Sequence, residues 1–313
     1  MMPYQKDPVE AFLRLLPQRV DSILEIGSDV SGLVASELQS KTGAFVVGVN
    51  PASDFPLDDW DTSSETISLM RSDGRFLPFA DDSFDAVLSV ATLEHVNGID
   101  LLMKETARVL KPRGVFYADF SPIWSSATGH HVFAKVGRRE ARFWKPGKNP
   151  IPHYSHLVMT KDEMREFLES GPCADDIIEP IIRWIYDDPH INRCFFEDYV
   201  RVFRQSTLEI QKLKVFESNI APDSDTAAKL REKYATRHTF SYSGMSAVFR
   251  KVPPMNPIER SVFRSLVRTR KAISDLKDTC GSFIRRNFPY VRVLKAILNG
   301  SIMKSRKHSP GGF

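Results

Sequence analysis

Between residues 20 and 120, short apolar runs alternate with segments whose apolar residues recur every three or four positions. "SILEI" (22–26) is apolar and β-branched, and "SGLVASELQSKTG" behind it has helical spacing and ends at Gly43. "AFVVGV" (44–49) is a continuous apolar run, the pattern of a strand buried on both faces. A third strand is predicted at 66–72, a fourth at 84–90 ("FDAVLSV") and a fifth at 115–120 ("VFYADF"). Between the last two, "GIDLLMKETARVLKPRG" is an amphipathic helix stopped by Pro112 and Gly114. Strands alternating with helices predict an α/β fold with a doubly wound, Rossmann-like parallel sheet. Such sheets bind ligands at the carboxyl ends of their strands.

Beyond Phe120 the alternation fails. Residues 121–158 are rich in Trp, His, Pro and Gly and read as an insertion above that carboxyl edge. "TKDEMREFLES" (160–170) opens with Thr160 and has Glu163 three residues on, a capping box. "DIIEPIIRWIY" (176–186) reads as a strand, 190–215 as a long helix and 224–235 as another helix. "FSYSGMSAVFRKV" (240–252) reads as a late strand at the sheet's edge. "PPMNP" (253–257) marks the boundary. The expected organisation is a body, 1–252, with insertions at 121–158 and 190–235 (the second one helical), and a tail, 253–313.

Charge separates these parts further. The formal net charge is +4, yet residues 255–313 hold 13 Lys and Arg against 3 Asp and Glu, leaving the body acidic. Ile258, Val262, Phe263, Leu266, Val267 and Ile273 fall on one half of a helical wheel, interrupted by Arg270, with Arg260, Arg264, Arg268 and Lys271 beside them. Three readings stand for this basic amphipathic tail: a helix packed on the body, peripheral contact with a membrane surface through 258–298, or a macromolecular partner. Nucleic acid is disfavoured, because the body is acidic and no RNA-binding motif is legible. The N-terminal segment is an amphipathic helix, not a signal peptide. The three isolated cysteines suit a reducing cytoplasm, with the inner membrane face as a second location if the tail docks there.

The strand–turn–helix junction "ILEIGSDVSG" (23–32) offers close backbone approach at Gly27 and a helix N-terminus. Asp29 in the turn would repel phosphate, so the junction favours a cofactor without phosphates. Together with "SDGRFLPFADDSFDAVLSVATLEHV" and "ARVLKPRGVFYADF", it resembles the class I S-adenosylmethionine-dependent methyltransferases, methyltransferase type 11 group, over about residues 20–120. The resemblance implies S-adenosylmethionine as cofactor, with Glu25 and Gly27 in its first motif and Gly27 passing beside the methionine portion. It assigns Asp73 to the adenine amino group and the Gly74 N–H to a ring nitrogen. Ser89, Val90 and Ala91 would lie beneath the cofactor. His95 matches a histidine common in the group. Two departures stand out. Asp29 and Ser31 occupy positions usually held by glycine. Asn50 replaces the acid that grips the ribose hydroxyls, and an amide hydrogen-bonds there without charge assistance. Asp54 is a substitute from the following loop.

The insertion holds His130, His131, His153 and His156, half of the chain's eight histidines, within 27 residues. A histidine near its ordinary pKa of about 6.5 can take a proton from a hydroxyl as a methyl group arrives. Trp124, Phe143, Trp144 and Tyr154 supply water-excluding walls suited to sugars or other rings. The segment also resembles methyltransferases of bacterial surface-polysaccharide synthesis. The leading expectation is O-methylation of a sugar-related hydroxyl, with His130 or His131 as base and His95 as a third candidate. A lipid, quinone or secondary-metabolite acceptor is the runner-up, and a non-catalytic cofactor-binding subunit the different-class alternative. No metal is expected, because no Cys or acid completes a ligand spacing.

Overall fold

The computed structural model describes residues 1–51, 64–171, 173–235 and 239–253; Asp54, Cys280 and the basic tail lie outside the described residues. Helix α1 (Pro3–Leu13) leads into β1 (Ser22–Ile26), α2 (Leu33–Thr42), β2 (Phe45–Asn50), β3 (Ile67–Arg71) and β4 (Phe84–Val90). A 3-10 turn (Leu93–His95), α3 (Ile99–Val109) and β5 (Leu110–Phe120) complete the alternating half. The sheet order is β3-β2-β1-β4-β5-β9-β8. The first five strands are parallel, and β9 (Tyr242–Lys251) runs antiparallel between β5 and β8 (Leu208–Glu217). Apolar side chains of β1, β2, β4 and β5 are buried on both sides of the sheet, which is why these strands read as unbroken apolar runs.

The insertion forms its own core. It holds a hairpin, β6 (Phe133–Val136) with β7 (Arg139–Arg142), and the short helix α4 (Ser155–Val158). These pack with α5 (Lys161–Ser170), α6 (Asp175–Tyr186) and α8 (Ser224–Tyr234) around Val132, Ile151, Tyr154 and Leu157. The remaining helix, α7 (Phe196–Gln205), covers the main sheet through Tyr199 and Phe203.

Three elements depart from expectation. "DIIEPIIRWIY" is helix α6, not a strand: Ile177, Ile178, Ile181, Ile182 and Ile185 are all buried on one helical face, and packing overrides the β preference of isoleucine. The long helix expected over 190–215 ends at Gln205, and the chain turns into β8. Accordingly, 190–235 is not wholly helical. β9 is interior and β8 is the edge, so the late strand does not close the sheet.

Candidate active site

The carboxyl ends of β1 to β4 converge on the junction after β1. Gly27 adopts φ +87°, and a Cβ there would fall 2.0 Å from Thr92 Oγ1. The close approach that requires glycine is therefore to Thr92, rather than to the cofactor alone. The Gly27 and Ser28 N–H groups donate to the Val49 carbonyl at 2.8 and 3.1 Å. Asn50 Nδ2 donates to the Ser28 carbonyl at 2.8 Å. One amide N–H of Asn50 thus ties the turn to β2, at the strand end where the ribose grip is expected. Asp29 accepts from the Ser31 N–H at 2.8 Å and from the Ser31 hydroxyl, a side-chain clasp that shapes the turn without further glycines.

Glu25 is buried, and its Oε2 accepts from Ser28 Oγ at 2.9 Å. Burial pushes its pKa up to about 8, opposed by the Ser28 hydrogen bond and reinforced by Asp29. Asp73 stands just past β3. Arg75 reaches both of its oxygens, with Nη2 at 2.6 Å from Oδ2 and the backbone N–H at 2.9 Å from Oδ1. The hydrogen bond from the Arg75 side chain holds this carboxyl below the usual range despite partial burial. Gly74 packs on β1, where a Cβ would lie 2.8 Å from Ile26 Cγ2. Ser89 is buried and donates to the Ile26 carbonyl at 3.0 Å, joining β4 to the end of β1. Val90 ends β4, and its carbonyl accepts from Thr92 Oγ1. Ala91 adopts φ +49° and donates to the Asp119 carbonyl.

These groups suit an uncharged or cationic ligand. The junction presents carboxylates (Asp29, Asp73) where phosphate binding would place basic groups. Those acceptors fit a cofactor bearing hydroxyls, an amino-purine and a sulfonium.

The histidines divide into two pairs. His95 and His131 lie 5.1 Å apart between ring centroids, and His130 and His156 lie 5.2 Å apart. His95 Nδ1 is 2.8 Å from the His190 carbonyl, which only accepts, so Nδ1 donates and Nε2 carries the lone pair. Nε2 of His131 is buried without a hydrogen-bond partner. His130 is fully buried, and its Nδ1 accepts from the Val132 N–H at 3.1 Å. Its remaining proton sits on Nε2. Burial lowers the pKa of His130 and His131 well below the ordinary value, and that of His95 less far. His156 donates through Nε2 to the Trp124 carbonyl at 2.9 Å, and burial lowers its pKa to about 4. His153 is exposed, on a groove it shares with Asp223, Asp225 and Lys229. Among the described residues, no three His, Cys, Asp or Glu are placed to hold a metal ion.

Sequence reasoning missed three contributors. Thr92 braces Gly27. Glu94 is 1% exposed, lacks a side-chain hydrogen-bond partner, and has its pKa raised to about 8 by burial and by Asp119. Tyr4 of α1, largely exposed, has its hydroxyl pKa raised by partial burial and by the charges of Asp29 and Glu94. "LEHV" flagged the histidine, and nothing in the sequence flagged the burial of the acid before it.

Residues 24–118 match the family model described as "Methyltransferase domain". The chain is similar to methyltransferase GfsG of Streptomyces halstedii, 33% identical over 126 residues that make up 36% of this chain and 45% of that one. It is also similar to the ubiquinone biosynthesis O-methyltransferase of Bartonella tribocorum, 30% identical over 54% of this chain and 65% of the relative. The chain thus spans less than two thirds of the length of these relatives. Among solved structures it is similar to an S-adenosylmethionine dependent methyltransferase from Mesorhizobium loti, with TM-score 0.46, 15% identity and coverage of 77% of this chain and 96% of that one. Residues 24–118, about a third of the chain, thus match the methyltransferase domain family.

Proposed function

We propose that the protein transfers a methyl group to a hydroxyl oxygen of a small-molecule acceptor, with a histidine of the insertion as base. The observation that carries this reading is the buried, unpartnered Nε2 of His131, whose ring lies 5.1 Å from that of His95, three residues past Thr92 and its contact at Gly27. His130 is the weaker candidate, because its lone pair is engaged by the Val132 N–H. His95 is the second candidate from the same pair. Glu25, Gly27, Asn50, Asp73, Gly74 and the strand end Ser89–Ala91 are the residues proposed to hold the cofactor. S-adenosylmethionine bound there supplies an electrophilic methyl group to the acceptor oxygen and leaves as S-adenosylhomocysteine. The protein's part is to orient the hydroxyl, exclude water and receive its proton.

An oxygen acceptor agrees with the name of the Bartonella relative. The insertion's resemblance to enzymes of surface-polysaccharide synthesis adds a glycan-related hydroxyl as one acceptor class. The test is release of S-adenosylhomocysteine with a panel of phenols, methyl glycosides and prenols. His131→Gln should lower turnover about 10²–10⁴-fold while cofactor affinity stays near normal. Near-wild-type turnover in His131→Gln would remove it as base, and tight cofactor binding with no release would favour a non-catalytic subunit.

The basic segment 258–298 is further proposed to touch the inner face of a membrane. Its support is the pattern of apolar and basic residues. No described helix is long and apolar enough to cross a membrane. Sedimentation with anionic vesicles, weaker at high salt and absent with neutral lipid, is the expected result.

A further inference from the structure

Aromatic rings around His131 close into a circuit. The imidazole stacks on Phe143 at 4.6 Å and 14°. Phe143 meets Trp144 edge-on at 5.0 Å, and Trp144 stacks on Phe133 at 5.9 Å and 10°. Phe133 meets Trp184 of α6 at 6.1 Å, and Trp184 lies 4.8 Å from His190. The His190 carbonyl holds His95, which returns to His131. Three separate segments of the chain build this circuit: the turn after β4, the insertion, and α6 with its following loop.

The circuit is buried at one end and open at the other. His131 is 4% exposed, whereas Phe133 is 41% and Trp144 54% exposed. Aromatic rings leading from the exposed Trp144 through the half-buried Phe143 to the buried, unpartnered Nε2 of His131 suit a flat ligand. Two buried polar atoms in it lack partners, Nε2 of His131 and Nε1 of Trp184. One can accept a hydroxyl proton, and the other can donate to an oxygen.

The polar inventory decides which ring fits. A saturated sugar would need carboxylates and amides for several hydroxyls. The carboxylate nearest in the chain, Glu140, is engaged by Arg142 at 2.7 Å and Lys145 at 2.9 Å. The Arg142 guanidinium itself lies over Phe133 and Trp144, at 4.5 and 5.3 Å. What is left is flat apolar faces with one acceptor and one donor. The chemistry agrees. A buried, neutral imidazole is a weak base, and a phenol near the tyrosine value of about 10 yields its proton far more readily than an alcohol near that of water, about 16.

We infer that the acceptor is a hydroxylated aromatic ring, laid against Phe143 and Trp144 with its hydroxyl towards Nε2 of His131. This rests on the reading of the domain as an O-methyltransferase.

The test uses the full chain saturated with S-adenosylhomocysteine, titrated by calorimetry with 2-naphthol, cyclohexanol and methyl α-D-glucopyranoside. Binding of 2-naphthol, with its Kd raised tenfold or more in Trp144→Ala and in Phe143→Leu and restored in Trp144→Tyr, is expected. Cyclohexanol and the glucoside should bind at least tenfold more weakly. Trp144 is half exposed, so its truncation should leave the melting temperature near wild type. Failure of 2-naphthol to bind, equal binding to the Ala and Leu variants, or tighter binding of the glucoside would overturn the inference. The underlying reading fails separately, through absent binding of S-adenosylmethionine or a methyl group found on carbon.

Discussion

Gly27 and Asp73 are the residues on which the cofactor assignment turns, and they are constrained in different ways. Gly27 is fixed twice, by φ +87° and by the approach of Thr92. Gly27→Ala should lower both stability and cofactor affinity, and thermal melts beside calorimetry will show whether the two losses travel together. Thr92→Ala in the same chain should recover part of the stability only, since loss of Oγ1 and Cγ2 relieves the closest contacts and leaves the strained backbone. Asp73 is held by Arg75, which also donates to the Asn97 carbonyl at 2.7 Å. Asp73→Ala should cost about 1–3 kcal/mol of S-adenosylmethionine binding, the scale for losing a charged hydrogen-bond partner. Arg75→Ala, with the carboxylate retained, should cost less. Equal losses would assign the effect to the order of the loop rather than to a contact with adenine.

At the scale of elements, legibility followed burial. β1, β2 and β4 are covered on both faces and wrote themselves as apolar runs, while the capping box of α5 was readable residue by residue. There Thr160 Oγ1 accepts from the Glu163 N–H at 3.3 Å, and the Thr160 N–H donates to Glu163 at 2.6 Å. Thr160→Ala should cost about 1 kcal/mol in denaturant unfolding with no change in cofactor affinity. β8 was not readable. "LEIQKLKVFE" faces solvent over most of its length, so nothing imposes a clean alternation, and its good helix formers pointed the wrong way. α6 misled in the opposite sense, since isoleucines and Pro180 masked a helical face that only the packed insertion reveals. The cofactor junction was legible because backbone geometry dictates its glycine. The aromatic circuit was only half legible: His131, Phe143 and Trp144 are close in sequence, whereas His95 comes from the turn after β4, and Trp184 and His190 from α6 and its following loop.

For the molecule as a whole, buried titratable groups set a pH optimum of stability. Glu25 and Glu94 keep their protons in the fold up to about pH 8, whereas the unfolded chain releases them above about 4.3. Their contribution is complete below that lower value and is lost as pH rises towards 8. His130, His131 and His156 are held neutral, so the unfolded chain gains protons below about 6.5 and stability falls as pH falls. Three histidines outweigh two acids between these limits, and the acids act alone above them. Urea unfolding should therefore be hardest near pH ~6.5 and ease on either side. Glu94→Gln should halve the loss between pH 6.5 and 8. An unchanged alkaline limb in that variant would mean that Glu94 is already ionised in the folded protein.

The place of β9 in the sheet also sets an order of events during synthesis. β8 leaves the ribosome before β9, its only strand partner among the described residues. The five parallel strands can close on one another by the time Phe120 has emerged, whereas Leu208–Glu217 must wait for Tyr242–Lys251. A strand kept waiting with open N–H and C=O groups is a template for pairing with a neighbouring chain. β8 carries Glu209, Lys212, Lys214 and Glu217 along its length. The charges that hid it from the sequence reading are the ones that protect it from strangers until its own partner is made.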